Sequence, residues 1–228
     1  MMNTQNHKPV IIYGNGHMAK MVYHFVKMQH AVAGFTVDSQ CINTNSIESL
    51  PLIAFTEVEQ HYPASSHNML IAVGFGGMNS LRKQKYLEAK QKGYTLINYI
   101  HPSVEVHENI VIGNNNIILD HASIHPYTTI GNGNFISSNT NVGHGCTIGD
   151  FCWVNAGVSI GGESNLGNQC FYGMNAAIGQ GISIADECFI GANTLISHNT
   201  SAKGVYLSGN GEKFRLDSDL FLKFSSAI

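Results

Sequence analysis

Apolar residues recur along this chain with two different periods, and the period changes near residue 99. Before that point, short apolar runs alternate with helical spacing. Val10-Ile11-Ile12-Tyr13 reads as a strand, and Gly14-Asn15-Gly16-His17 as a tight loop after it. Met18 to Gln29 places Met18, Met21, Val22, Phe25 and Val26 at the spacing of an amphipathic helix. Ala31 to Val37 is a second strand ending at Asp38, and Met69 to Val73 a third, closed by Gly74-Phe75-Gly76-Gly77. Ser80 to Lys92 reads as a basic amphipathic helix with Leu81 and Leu87 turned inward, and Tyr94 to Ile97 as a last strand. Strands alternating with helices predict a small Rossmann-like parallel α/β sheet over residues 1–98.

From 99 to 200 the period is six, without an insertion. In rows of six from Glu105, the second column runs Val106, Ile112, Ile118, Ile124, Ile130 and on to Ile190 and Ile196, with Tyr172 its one non-aliphatic member. The sixth column is mostly small, as at Ala122, Thr128, Cys146, Ser164 and Ala176. One large and one small residue per row fill the inside of a triangular prism. Three short strands make a coil of eighteen residues, and coils stack at roughly 4.8 Å. The register predicts a parallel β-helix of hexapeptide repeats over 99–200, with 201–228 as a C-terminal extension.

Glycine recurs in the third column, at Gly113, Gly131, Gly143, Gly149 and Gly161 among others, and is expected there at corners with unfavourable φ. Asn114, Asn115, Asn132, Asn139 and Asn193 read as turn formers. Cys152, Cys170 and Cys188 share one interior column, so they read as small packing residues rather than a metal ladder.

Composition narrows the function. A formal charge of −3 gives no basic footprint for nucleic acid or an anionic membrane. Only 12% of residues are charged and glycine numbers 24, which suits a solenoid rich in tight turns. No apolar run reaches the length of a membrane span, and Met1 to Pro9 is too polar for a secretory signal. Five cysteines without a Cys-x-x-Cys pair suggest a reducing, cytoplasmic setting.

Ligands of parallel sheets lie beyond the carboxyl ends of the strands, which points to the Gly14–His17 loop, Asp38 and the Gly74–Gly77 loop. The first loop can offer backbone N–H groups and a helix N-terminus to a phosphate, but it lacks the third glycine of the dinucleotide fingerprint. A nucleotide pocket and a plain structural turn both remain open. On the coil, proton transfer at neutral pH falls to histidine, and His101, His107, His121, His125, His144 and His198 are the candidates. His144 stands in the outward fourth column between Gly143 and Gly145, which leave its ring unobstructed. His107 and His125 stack on adjacent coils with His144 one column off, so a three-histidine metal site is not favoured. A merely solvated His144 stays an alternative.

The stretch Asn139-Thr140-Asn141-Val142-Gly143-His144-Gly145-Cys146-Thr147-Ile148-Gly149-Asp150-Phe151 resembles the active-site coil of NeuD/PglD-type sugar acetyltransferases. The order of the chain is similar too: Ile12-Tyr13-Gly14-Asn15-Gly16-His17, a strand ending at Asp38, Val73-Gly74 followed by Arg82, then Ile100-His101-Pro102-Ser103 opening the repeat. The resemblance implies a left-handed parallel β-helix, a homotrimer, and acetyl-CoA or a related acyl-CoA as donor. It implies transfer to the amino group of a nucleotide-linked 4-amino-deoxy sugar in surface glycan biosynthesis, with no metal. Sugar or sialic acid O-acetylation is the nearest alternative, and a non-catalytic or metal-dependent β-helix binding protein the alternative of another class.

By the same resemblance His144 is the base, and Gly161, Gly162, Met174 and Ala192 serve the coenzyme. Gly14, Asn15, Gly16, His17, Asp38, Gly74 and Arg82 serve the nucleotide sugar. Three features depart from the family: Gly145 stands where an acid follows the histidine, Trp153 where a second histidine is frequent, and Gly204 to Lys213 replaces the usual ending. Glu163 lies eighteen residues after Gly145, in the same column one coil on, and is expected to orient His144 in place of the missing acid. An ordinary solvated carboxylate is the alternative there.

Overall fold

The computed structural model describes residues 8–213 except 105 and 108, and beyond them 215–218, 220 and 222. Residues 1–7 of the polar N-terminal stretch, Glu105 at the head of the repeat rows, and the remainder of the 201–228 extension lie outside the described residues.

The N-terminal unit runs β1 (Val10–Tyr13), α1 (His17–Val26), β2 (Val32–Val37), β3 (Ser46–Ile47), β4 (Leu50–Ala54), α2 (Val58–His61), β5 (Asn68–Ile71), α3 (Ser80–Gln91) and β6 (Thr95–Leu96). The sheet order is β3-β4-β2-β1-β5-β6, parallel except for β3, which pairs antiparallel with β4. Central β1 is buried on both faces, which is why it reads as an unbroken apolar run. Val10 and Ile12 pack with Val22 and Val26 of α1, while Ile11 and Tyr13 pack with Tyr86 and Ala89 of α3. The β3–β4 hairpin is new relative to the sequence reading, because a two-residue strand and Pro51 leave no readable period.

Helix α3 sits the other way round from the sequence expectation. Leu81 and Leu87 are 44% and 48% exposed, whereas Arg82, Lys85, Tyr86 and Ala89 are buried. Those four lie on one helical stripe, and the charged heads on it are satisfied. Lys85 Nζ reaches Asp38 Oδ1 at 2.7 Å and Glu88 Oε2 at 2.8 Å, so its stem can pack while its charge is paired.

From Tyr99 the strands are two residues long and build three stacked parallel sheets. One face presents Ser123, Asn141, Ser159, Ala177 and Leu195; a second Val111, Thr129, Thr147, Asn165 and Ser183; the third Tyr99, Ile117, Phe135, Trp153, Phe171, Phe189 and Val205. The second column fills the interior from Ile118 to Ile196, with Tyr172 buried among it. Cys152, Cys170 and Cys188 are buried there as free thiols. The last rung, Val205–Tyr206, pairs with Phe189–Ile190, so the coil runs past residue 200 into the segment read as an extension.

The corners correct the glycine reading. Left-handed φ falls in the fifth column, at Asn115, His121, Tyr127, Gly133, Asn139, Gly145, Phe151, Glu163 and onward, not at the third-column glycines. Asn115, Asn139 and Asn193 adopt it as turn formers. Asn114 and Asn132 do not; they belong to a ladder in which each fourth-column amide donates to the side chain one coil on. That ladder continues through Asp150, Asn168 and Asp186. The third-column glycines other than Gly179 answer to a different constraint, because a Cβ there would run into the next coil. At Gly161 it would lie 2.5 Å from the Gln180 nitrogen and at Gly149 2.9 Å from the Gly167 carbonyl.

The aromatic face docks the α/β unit. Phe135 stacks on Trp153 at 4.1 Å and Phe171 on Phe189 at 4.5 Å. The face packs with Val22, Val26 and the half-buried Met18, Met21 and Phe25. Burying each such ring contributes about 1.5–3 kcal/mol. Asn115 completes the seam by accepting from Ile71 N–H at 2.8 Å, as a neighbouring strand would.

Candidate active site

His144 stands at the corner between the serine and threonine faces, opposite the aromatic face and the α/β unit. Its ring lies over Gly162, the fourth-column residue one coil on. A Cβ at Gly162 would come within 2.6 Å of His144 Cε1 and 2.8 Å of Nδ1. The ring can therefore rest in this position only while residue 162 has no side chain. Its Nε2 is 4.0 Å from Glu163 Oε1, with side chains 58% and 65% exposed. At that exposure the pair contributes at most about 1 kcal/mol to stability. Glu163 reaches the histidine from a left-handed corner at φ +62, and Gly145 beside it leaves the passage open.

The amides at this corner differ from those of the Asn/Asp ladder. Gly161 N–H donates to Ile178 O at 2.8 Å. Among the described residues the Gly162 N–H has no acceptor, and the amides of Met174 and Ala192 have none either. Of the two glycines, Gly162 is the one with a donor to spare.

Met174 and Ala192 lie at another corner, between the aromatic and serine faces. They line a cleft of about 420 Å³ with Phe75, Asn155, Phe171, Phe189 and Leu207. A second cleft, where Ser208 to Gly211 crosses Gly191 and Ala192, continues it. The sequence reading missed the aromatic lining, although the signal was present: Phe135, Trp153, Phe171 and Phe189 are eighteen apart in the outward first column. Trp153 is buried in that stack and donates to Asn155 Oδ1 at 3.1 Å.

At the α/β unit, Gly14 has φ +136, and a Cβ would lie 2.6 Å from Ala72 O, so glycine is required there for close strand packing. Gly16 precedes α1 with open space before it, His17 begins the helix, and Gly74 is also unobstructed. Asn15 ties the loop down by donating to Cys41 O at 2.7 Å. Asp38 is turned towards α3 and paired with Lys85, beside a cleft lined by Phe55, Thr56, Glu59 and Lys92. Burial and the nearby Asp38 carboxylate push the Tyr13 hydroxyl well above its ordinary range.

Arg82 does not face a ligand pocket. It is 2% exposed and donates to the carbonyls of Gly133 at 2.8 Å, Phe151 at 2.9 Å, Cys152 at 3.0 Å and Gly74 at 3.3 Å. Burial pulls its pKa down to about 10, so it stays charged at neutral pH. Its guanidinium clamps the α/β unit to the coil, which corrects its placement in the sugar pocket.

His101 bonds Ser103 Oγ, and His107 and His121 flank a shallow cleft with Ser103. Among the described residues no group of three His, Cys, Asp or Glu side chains could hold a metal, and no helix is long and apolar enough to cross a membrane.

Solved structures share this arrangement. The acetyltransferase domain of PglB from Neisseria gonorrhoeae superposes with a TM-score of 0.78 at 19% identity, covering 87% of this chain and 96% of that one. A perosamine N-acetyltransferase from Caulobacter crescentus, in complex with CoA and GDP-perosamine, gives 0.79 at 22% identity, covering 86% and 92%. The chain has their fold. It is a left-handed β-helix behind an α/β unit, and WeeI from Acinetobacter baumannii matches it too, at 0.61 and 17% identity over 86% and 95%. No protein-family model matches the sequence, and no curated protein matches it. The likeness thus lies in the left-handed β-helix and the unit docked on it.

Proposed function

We propose that this protein is a CoA-dependent N-acyltransferase acting on the amino group of a nucleotide-linked 4-amino-deoxy sugar, and that it works as a homotrimer. The observation that carries the reading is His144, an exposed imidazole seated on Gly162 beside an amide with no acceptor, on a fold shared with an N-acetyltransferase in complex with CoA and GDP-perosamine.

In this reading the sugar amine attacks the thioester carbonyl and forms the C–N bond, while His144 takes the amine proton. The charge that develops on the carbonyl oxygen is met by the Gly162 N–H. The intermediate collapses by breaking the C–S bond, and the departing thiolate receives the proton from the imidazolium. Glu163 orients the ring and supports its charged form. The amides of Met174 and Ala192, one coil apart beside an apolar cleft, suit the amide-bearing arm of the coenzyme. Gly14, Asn15, Gly16, His17 and Gly74 frame the nucleotide-sugar end, with Asp38 held by Lys85.

The placement of these groups supports a site shared between subunits. Met174 and Ala192 occupy a different corner of the prism from His144, and the α/β unit covers the face opposite it. One chain cannot bring them together. A neighbour related by an axis parallel to the coil can set its His144 against this chain's cleft, which closes into a ring.

The test is release of CoA thiol from acetyl-CoA with GDP-perosamine and uridine- or thymidine-linked 4-amino sugars as acceptors. The wild type should turn over at least one, and His144→Ala should lose about a hundredfold or more. Equal rates for the two proteins would remove His144 as the base. Glu163→Gln should change turnover and its pH profile; if both stay untouched, the pairing with His144 is wrong.

A further inference from the structure

Phe75 stands out among the side chains that the proposed mechanism leaves unused. It comes from the Gly74–Gly77 loop, at the carboxyl edge of the α/β sheet, yet its ring lies on the coil. It meets Phe171 at 4.6 Å and Trp153 at 5.4 Å and remains 46% exposed. Glycine flanks it on both sides, with nothing within 4 Å of where a Cβ on Gly74 or Gly76 would be. Those contacts use part of the ring, and the rest faces the cleft that Met174 and Ala192 line, where a ligand would cover it.

Coil height says which part of a ligand would do so. Each coil rises roughly 4.8 Å, so Trp153 and Asn155 lie within about 3 Å of the level of His144, whereas Ala192 lies on the order of 13 Å above it. With subunits related by an axis parallel to the coil, these heights carry over to the neighbour's His144. The thioester must sit level with that histidine. The end of the cleft walled by Phe75 and Asn155, with Trp153 behind the Phe75 ring, therefore receives the acyl group, and the end at Ala192 and Leu207 receives the rest of the coenzyme.

Resting on the acyltransferase reading, we infer that Phe75 is a specificity-determining residue: its ring closes the acyl end of the cleft and sets the length of the acyl group transferred. The wall behind it is apolar, so the group it selects against is a longer saturated acyl chain rather than a charged one. Chemistry at the thioester is unchanged; only the room beyond the carbonyl carbon differs.

The experiment measures kcat/KM for acetyl-, butyryl- and hexanoyl-CoA with one acceptor, in the wild type, Phe75→Ala, Phe75→Leu and Phe75→Trp. The ratio of hexanoyl to acetyl cancels any difference in the amount of folded enzyme. It should rise at least tenfold in Phe75→Ala, rise less in Phe75→Leu, and fall in Phe75→Trp. A ratio that does not move across the series overturns the inference while leaving the acyltransferase reading intact. A wild type that releases no thiol from any of the three donors overturns the reading, and the inference with it.

Discussion

His144 owes its setting to glycines, and each does something different. A Cβ at Gly143 would strike the Gly162 backbone, Gly145 takes a left-handed corner at φ +66, and Gly162 is the floor under the ring. Only the last touches the imidazole, so Gly162→Ala isolates the seat of the base. The methyl would displace a ring with which it overlaps at 2.6 Å, on a backbone that does not need glycine's φ. Turnover should fall tenfold or more while the melting temperature moves by only a few degrees, read from thiol release and thermal denaturation side by side. A variant with full activity would mean that the ring is not held there during the reaction. The outward place of His144 was legible from its column, but none of the six coil histidines is buried, so it is the glycines around it rather than exposure that set it apart. Arg82 was misplaced because its partners at Gly133, Phe151 and Cys152 are 51 to 70 residues away, beyond any local pattern.

The hexapeptide register made the coil strands up to Leu195–Ile196 readable, since one aliphatic residue per row has nowhere to go but inside, while the last rung, Val205–Tyr206, lies beyond it. The reason for glycine in the third column was not readable, because composition cannot tell a φ requirement from a steric one. The distinction has a measurable consequence. Gly149→Ala puts a methyl 2.9 Å from the Gly167 carbonyl and 2.8 Å from Asn168 Oδ1, and should cost about 2–3 kcal/mol through overpacking. Gly181→Ala adds a methyl with nothing within 4 Å but at φ +69, and should cost about 1 kcal/mol. Urea midpoints for the two variants decide it, and equal losses would return the third column to a conformational role. The docking face tells a similar story. Its aromatic residues repeat every third row, a period visible in the sequence but hidden when the rows are read singly. Helix α3 shows the limit of such reading. Its leucines suggested an inward face, but the stripe that packs is the one whose charges have partners just after β2 and on the coil.

At the scale of the whole molecule, the two units hold together through the aromatic face and Arg82. A cation that serves four carbonyls and no carboxylate leaves those of Gly74, Gly133 and Phe151 without a partner among the described residues when removed, while Cys152 O keeps the Phe135 N–H at 3.0 Å, so Arg82→Met should cost roughly 3–5 kcal/mol. Calorimetry should then show the α/β unit melting ahead of the coil, and a single unshifted transition would mean that the clamp is dispensable.

The same geometry that separates His144 from the Met174–Ala192 cleft within one chain makes the assembly testable by mixing. His144→Ala lacks the base but keeps its cleft. Ala192→Trp blocks an exposed wall of the cleft but keeps the base. Each alone should be inactive. Co-expressed under two tags and purified through both, every mixed ring contains either two chains of one kind and one of the other, or the reverse. In a cyclic trimer both arrangements leave one interface of three with an intact histidine facing an intact cleft, so activity should return to roughly one third of wild type. If each site were complete within one chain, no interface could be rescued, and the mixture would stay as inactive as its parents. Recovery near a third therefore separates a shared site from a private one, and it also counts the subunits, because a shared site in a mixed dimer would restore about half.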